Sequence, residues 1–285
     1  MVNNNILIIG ITGNGKSALA NLLVNTDEFG ESNLSTSKTT VSRKSSPFEW
    51  EKKEYCVIDN IGFGDNRDIS EEDILLRIGE GIYSAKEGIS QVLFVFGGRF
   101  GPEQIAAFNT FKKFISESGI TKYTTLIRTN FPSFRDQKSC EEDRQSLLSE
   151  DNKDLKETIN SCNGIIYVDN PPIPEIDEED ADSDDEEEIS RIKEKKQEAR
   201  KIVLNHLAKN CCQTPYKLKK WDSIYAKVFE YIKEKEQIEQ GNSETKEEDL
   251  KRIKNEIVKD IKSGLSAELS AFRKLTLAME QNTQK

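Results

Sequence analysis

Short apolar runs bounded by turn residues recur along the chain: Ile6 to Ile9, Phe48 to Trp50, Tyr55 to Ile58, Val92 to Phe96, Thr124 to Ile127 and Ile165 to Val168. Each has the length of a strand. Between most of them, apolar residues repeat at helical spacing. Ser17 to Val24 carries Leu19, Leu22 and Leu23. Ile74, Leu75, Ile78 and Ile82 recur at three and four residues, as do Ile105, Phe108, Phe111 and Ile115, and Leu147, Leu148, Leu155 and Ile159 follow more loosely. Alternating strands and helices predict an α/β fold: three layers, with a mostly parallel sheet covered on both faces. Ligands of such sheets sit beyond the carboxyl ends of the strands.

After Asp169-Asn170 the pattern breaks. Pro171, Pro172 and Pro174 stop regular structure, and Asp177 to Glu188 is nearly all carboxylate. That composition predicts a disordered surface loop over about 171–188. A calcium site there would lack the central glycine and the ligand spacing of an EF-hand loop. Ser183, set among acids, reads either as a phosphorylation target or as part of a solvated loop. A basic amphipathic helix is expected over Arg191 to Lys209, with Ile192, Ala199, Ile202, Val203 and Leu207 on its apolar side. Trp221, Ile224, Val228, Phe229 and Ile232 mark another helix. A last one runs from about Glu247 to Glu280 through Ile253, Ile257, Ile261, Leu265 and Leu269. Its four-residue steps drift around the helix, which favours docking on the sheet domain or weak pairing over a strict coiled coil. The expected organisation is a sheet domain over 1–210 and an α-helical extension over 211–285.

Composition changes this picture little. The formal charge is −10, but Glu175 to Glu188 alone holds eleven carboxylates and no base, so the rest is close to neutral. No basic patch with interleaved aromatics argues for nucleic acid. The five cysteines are scattered without CxxC spacing, which indicates neither a disulfide framework nor a zinc site. The single histidine, His206, reads as a helix-surface residue. There is no visible signal peptide, and the apolar runs are too short to span a bilayer. A soluble, cytoplasmic protein without a transmembrane segment is expected.

Candidate chemistry enters with Gly10-Ile11-Thr12-Gly13-Asn14-Gly15-Lys16-Ser17, which fits the phosphate-loop pattern GxxxxGK[ST] at every fixed position. It lies between a predicted strand and a predicted helix, as the motif requires. Gly10, Gly13 and Gly15 permit positive φ and close backbone approach, so that N–H groups and the helix N-terminus face phosphate oxygens. Lys16 supplies charge to the β and γ phosphates, and Ser17 a hydroxyl to a bridging Mg²⁺. Thr12, Asn14 and Ala18 complete the phosphate-binding set.

About forty residues on, Asp59-Asn60-Ile61-Gly62 leaves the strand Tyr55 to Ile58 as a DxxG pattern. Asp59 suits the Mg²⁺, and Gly62 lets the loop respond to the γ phosphate. The Ser/Thr-rich stretch from Ser32 to Ser46 suits a switch segment supplying a second hydroxyl, for which Ser37 and Thr39 are the best candidates, with Thr36 and Thr40 close behind.

Together with Phe96-Gly97-Gly98-Arg99-Phe100-Gly101-Pro102-Glu103-Gln104 and the stretch from Cys162-Asn163-Gly164 to Val168-Asp169-Asn170, these residues resemble the AIG-type GTPases. That group comprises the immunity-associated (GIMAP) branch and its relatives, akin to the chloroplast Toc receptors and the septins. The resemblance spans residues 1 to about 210. It implies a P-loop GTPase domain that binds Mg²⁺ and GTP, hydrolyses GTP slowly, and forms a nucleotide-dependent homodimer across the nucleotide face. Arg99 matches the arginine that can act on the partner's nucleotide; as a purely structural residue it would cap the loop before Pro102. With Lys16 it makes up the implied catalytic pair. The helices beyond 210 lie outside the resemblance and are expected to serve an unidentified protein partner.

The sequence departs from the family in two places. Asp59-Asn60-Ile61-Gly62 stands for aspartate-threonine-proline-glycine. Arg128-Thr129-Asn130-Phe131-Pro132 stands where a base-reading motif ending in aspartate is expected, leaving Asn130, Asp169 and Asn170 to contact the base. Phe63 also follows Gly62 where a Ras-like enzyme has glutamine. A nucleotide-binding scaffold without useful catalysis is therefore the alternative. An ATP-dependent small-molecule kinase is a more distant one, since Arg128 and Arg135 are too few and too dispersed for a lid.

Overall fold

The computed structural model describes residues 4–10, 13–27, 29, 43–59, 71–98, 119–149, 153–174, 183–239 and 247–264. Its strands are β1 (Asn4–Gly10), β2 (Arg43–Lys44), β3 (Phe48–Trp50), β4 (Lys53–Asp59), β5 (Gln91–Gly97), β6 (Thr124–Thr129) and β7 (Ile165–Tyr167). They form one sheet in the order β2-β4-β1-β5-β6-β7, with β3 also on β4. β4, β1, β5, β6 and β7 run parallel, and only β2 and β3 are antiparallel. This is the expected three-layer, mostly parallel α/β fold.

The apolar runs are continuous because alternate residues feed two cores. Leu7, Ile9, Ile58, Val92, Phe94, Phe96 and Leu126 face one side of the sheet. Ile6, Ile8, Val57, Leu93, Val95 and Ile127 face the other. The second face is covered by α1 (Lys16–Val24), through Leu19, Leu22 and Leu23, and by a long C-terminal helix. The first face is covered by α2 (Glu71–Ser84), through Leu75 and Ile82. The loosely spaced leucines fall on two helices, α3 (Gln137–Ser149) and α4 (Lys153–Ser161). The helix expected around Ile105 to Ile115 lies outside the described residues.

Two expectations are corrected. The long helix α5 spans Ser183–Asn210, so the acidic run is helical from Ser183 onward; residues 175–182 lie outside the described set. Asp184, Asp185 and Glu186 occupy the first turn, where carboxylates meet the positive end of the helix dipole, and Glu187 pairs with Arg191 at 2.8 Å one turn on. The same charges that argued for disorder thus suit a helix start. His206 is the second correction. It lies partly buried against the sheet, Nε2 at 2.8 Å from Thr125 Oγ1, which in turn accepts Gln91 Nε2 at 2.6 Å.

Helix α6 (Trp221–Glu239) and a last helix, α7 (247–264), lie against α2. Ile224, Val228, Ile257 and Ile261 are fully buried there. Each contributes roughly 1.5–3 kcal/mol by burial, more than the partly exposed Lys254–Asp73 pair that also ties α7 to α2. Gly79 lets α2 come close: a Cβ there would sit 3.1 Å from Val228 and 3.2 Å from Ile257. Lys220 and Lys227 meet Asp260 at 2.8 and 2.7 Å between α6 and α7. The last helix therefore docks on the sheet domain over 247–264; the remainder of its expected range lies outside the described residues.

Burial, with a smaller push from the Lys209 charge, holds the His206 imidazole below its ordinary pKa of 6.5. The unfolded chain therefore binds a proton at a pH where the native chain does not. This contribution to stability is complete above 6.5 and is lost as pH falls toward the native pKa. Denaturant melts between pH 7.5 and 5.5 should show declining stability in the parent and a flatter profile in His206→Gln; equal slopes would remove His206 as the cause.

Candidate functional site

The carboxyl ends of β1, β4, β5 and β6 converge on the N-terminus of α1. Gly10 pairs with Val95 and has φ 147°, and a Cβ there would lie 2.1 Å from the Val95 carbonyl oxygen, so only glycine lets β1 leave the sheet at this point. Gly13 and Gly15 have φ 80° and 78°. Gly15 caps α1 without any side-chain hydrogen bond, so the first helical N–H groups have no capping side chain and face outward as an anion site. Lys16 is buried at the first position of α1.

Ser17 Oγ donates to Asp59 Oδ2 at 2.8 Å. Their meeting follows from sheet register: Asp59 ends β4 opposite Ile8 of β1, and β1 leads directly into the loop before α1. A hydroxyl and a carboxylate in contact are hard oxygen donors, the set that Mg²⁺ prefers, so these residues fit the expected metal. Asp59 is also the ladder partner of Arg43 in the antiparallel β2 pairing.

On the other side, the exits of β6 and β7 are joined. Val168 N–H donates to Arg128 carbonyl, and Phe131 N–H to Val168 carbonyl. Asn130 between them is exposed with φ 54°, a conformation asparagine tolerates. Asn170 Nδ2 donates to Ala18 carbonyl at 3.0 Å, tying this corner to α1. Asp169 lies 3.9 Å from Lys195 of α5. Thr129 Oγ1 reaches the Asn14 carbonyl at 2.9 Å and the Phe96 carbonyl at 3.1 Å. Beneath the corner, Arg128 is buried between the rings of Phe96 and Phe131 and lies 3.5 Å from Asp143. Arg135 pairs with Glu198. Neither arginine is placed as a lid.

The structure thus brings Gly10, Gly13, Asn14, Gly15, Lys16, Ser17, Ala18, Asp59, Asn130, Asp169 and Asn170 to one end of the sheet. Thr12, Ser37, Thr39, Gly62 and Arg99 lie outside the described residues. Lys195 was not singled out by sequence, and Gly97 and Thr129 entered only as members of the stretches Phe96 to Gln104 and Arg128 to Pro132. Burial pushes the Cys162 and Cys211 thiols up to about 12, so neither serves as a nucleophile at neutral pH.

The AIG1 family profile matches residues 4–198. The chain belongs to the AIG1 family. No curated protein sequence matches it. Among solved structures, Toc33 from Arabidopsis thaliana in complex with Mg²⁺ and GMPPNP is 16% identical with a TM-score of 0.41, covering 70% of this chain and 87% of that one. Era from Aquifex aeolicus bound to GDP·AlF4⁻ is 14% identical with a TM-score of 0.43, covering 59% and 52%. This chain thus spans about half of Era. Among the described residues, no helix is long and apolar enough to cross a membrane.

Ser17→Ala and Asp59→Asn should each cut the gain in nucleoside triphosphate affinity on adding Mg²⁺ by about tenfold or more, while affinity in EDTA stays near the parent's. Fluorescent-nucleotide titration with and without Mg²⁺ measures this; an undiminished Mg²⁺ effect in both variants would remove the pair as the metal site.

Proposed function

We propose that this chain is a Mg²⁺-dependent guanine-nucleotide switch that hydrolyses GTP slowly to GDP and phosphate and forms a homodimer in its triphosphate state. The observation that carries the reading is the 2.8 Å contact of Ser17 with Asp59 beside the uncapped N-terminus of α1. Ser17 and Asp59, with Ser37 or Thr39, would hold the Mg²⁺, which would supply positive charge to phosphates bound by residues 10–18, with Thr12 and Gly62 closing the loop. Guanine rests on family membership, because the β6 exit offers Asn130 and no carboxylate; Asp169 and Asn170 contact the base from β7. Slow turnover in the monomer follows from Phe63 in place of a water-orienting glutamine, and Arg99 acts on the nucleotide of the partner copy. Residues 1–210 form the switch, and the helices of 211–285 offer a surface to a protein partner in the cytoplasm. The absent base-reading carboxylate favours a second reading, a binding scaffold without useful catalysis.

Turnover measured against protein concentration separates the readings. The rate per molecule should rise with concentration in the parent and stay flat in Arg99→Ala, an arginine acting in trans being worth about a thousandfold or more. Lys16→Ala should bind nucleotide about a hundredfold more weakly. A rate independent of concentration and of Arg99 would overturn action in trans, and nucleotide binding with no turnover at any concentration would establish the scaffold.

A further inference from the structure

At the exit of β6, the Thr129 hydroxyl donates to the Asn14 carbonyl of the loop before α1. We propose that Thr129 is a positioning residue: its hydroxyl turns the Asn14–Gly15 peptide so that the Gly15 N–H is aimed at the β phosphate. The inference rests on the nucleotide reading above.

A trans peptide points its C=O and N–H in opposite directions. The Asn14 carbonyl is drawn back toward β6 by Thr129 Oγ1 at 2.9 Å, so the Gly15 N–H of the same peptide points away from the sheet. The next peptide is fixed as well, because the Gly15 carbonyl accepts the Leu19 N–H at 2.8 Å as the first bond of α1. Gly15 at φ 78°, ψ 28° is thus held on both sides, and its N–H is left to the anion. Thr129 is itself anchored. It is 4% exposed, and its hydroxyl also lies 3.1 Å from the Phe96 carbonyl on the neighbouring strand.

Gly97 makes this reach possible. It is the ladder partner of Thr129, and a Cβ there would sit 3.2 Å from Thr129 Oγ1 and 3.4 Å from Asn14 Oδ1. The missing side chain leaves the space through which β6 touches the loop. A β-branched residue suits the strand, so Thr129→Val removes the hydroxyl while keeping shape and β propensity, and Thr129→Ser keeps the hydroxyl.

The test is GDP binding by the full-length chain with Mg²⁺, together with ³¹P spectra of the bound nucleotide. Thr129→Val should bind GDP about tenfold more weakly, the effect of losing one buried hydrogen bond, with the β-phosphorus resonance displaced and the α resonance in place. Thr129→Ser should match the parent in both. A merely structural threonine would change melting temperature and leave the β-phosphorus signal unmoved. Parent-like GDP affinity and spectrum in Thr129→Val, or a Thr129→Ser variant as impaired as Thr129→Val, would overturn the assignment while the nucleotide reading stands. A parent chain that binds no GDP would overturn both.

Discussion

The parallel register of β1 between β4 and β5 sets Ile8 opposite Asp59 and Gly10 opposite Val95. Each feature of the nucleotide end depends on it. The pairing with β4 carries Asp59 to the hydroxyl of Ser17, and the pairing with β5 leaves room for no side chain at Gly10, where the chain must turn out of the sheet. The ladder is buried on both faces, so a slip of one residue would send every inward side chain to the wrong core. Burial of apolar residues thereby fixes polar geometry that has little stabilising energy of its own.

The two faces of the sheet differ in what covers them. α1 and α5 cover one face, and Arg200 of α5 donates to the Leu23 carbonyl at the end of α1. The other face has α2, onto which α6 and α7 are folded through Val228, Ile257 and Ile261. α2 is the first described element after Asp59. The close approach at Gly79 and the ion pair of Lys254 with Asp73 hold α2 at two positions along its length.

The phosphate loop and Asp59 were legible in the sequence because their chemistry demands fixed residue types at fixed spacing, and the strands because they are short apolar runs. The beginning of α5 was not, since a carboxylate run reads as disorder unless it is known to sit at a helix N-terminus. His206 was misread because the face of a long helix that meets polar strand ends, Gln91 and Thr125, shows no apolar signature. Thr129 was read only as part of the stretch standing in place of a base-reading motif: its contact with the Asn14 carbonyl depends on the proximity of β6 to the loop across Gly97.

Oxygen ligands at the ends of β1 and β4 are proposed to hold a Mg²⁺-bound nucleotide whose base is guanine despite the missing carboxylate after β6. Titration calorimetry of the full chain with non-hydrolysable GTP and ATP analogues in Mg²⁺ tests it most directly. The GTP analogue should bind saturably and one-to-one, at least about tenfold tighter than the ATP analogue, or about 1.4 kcal/mol. Equal affinity for the two analogues, or no heat with either, would contradict it.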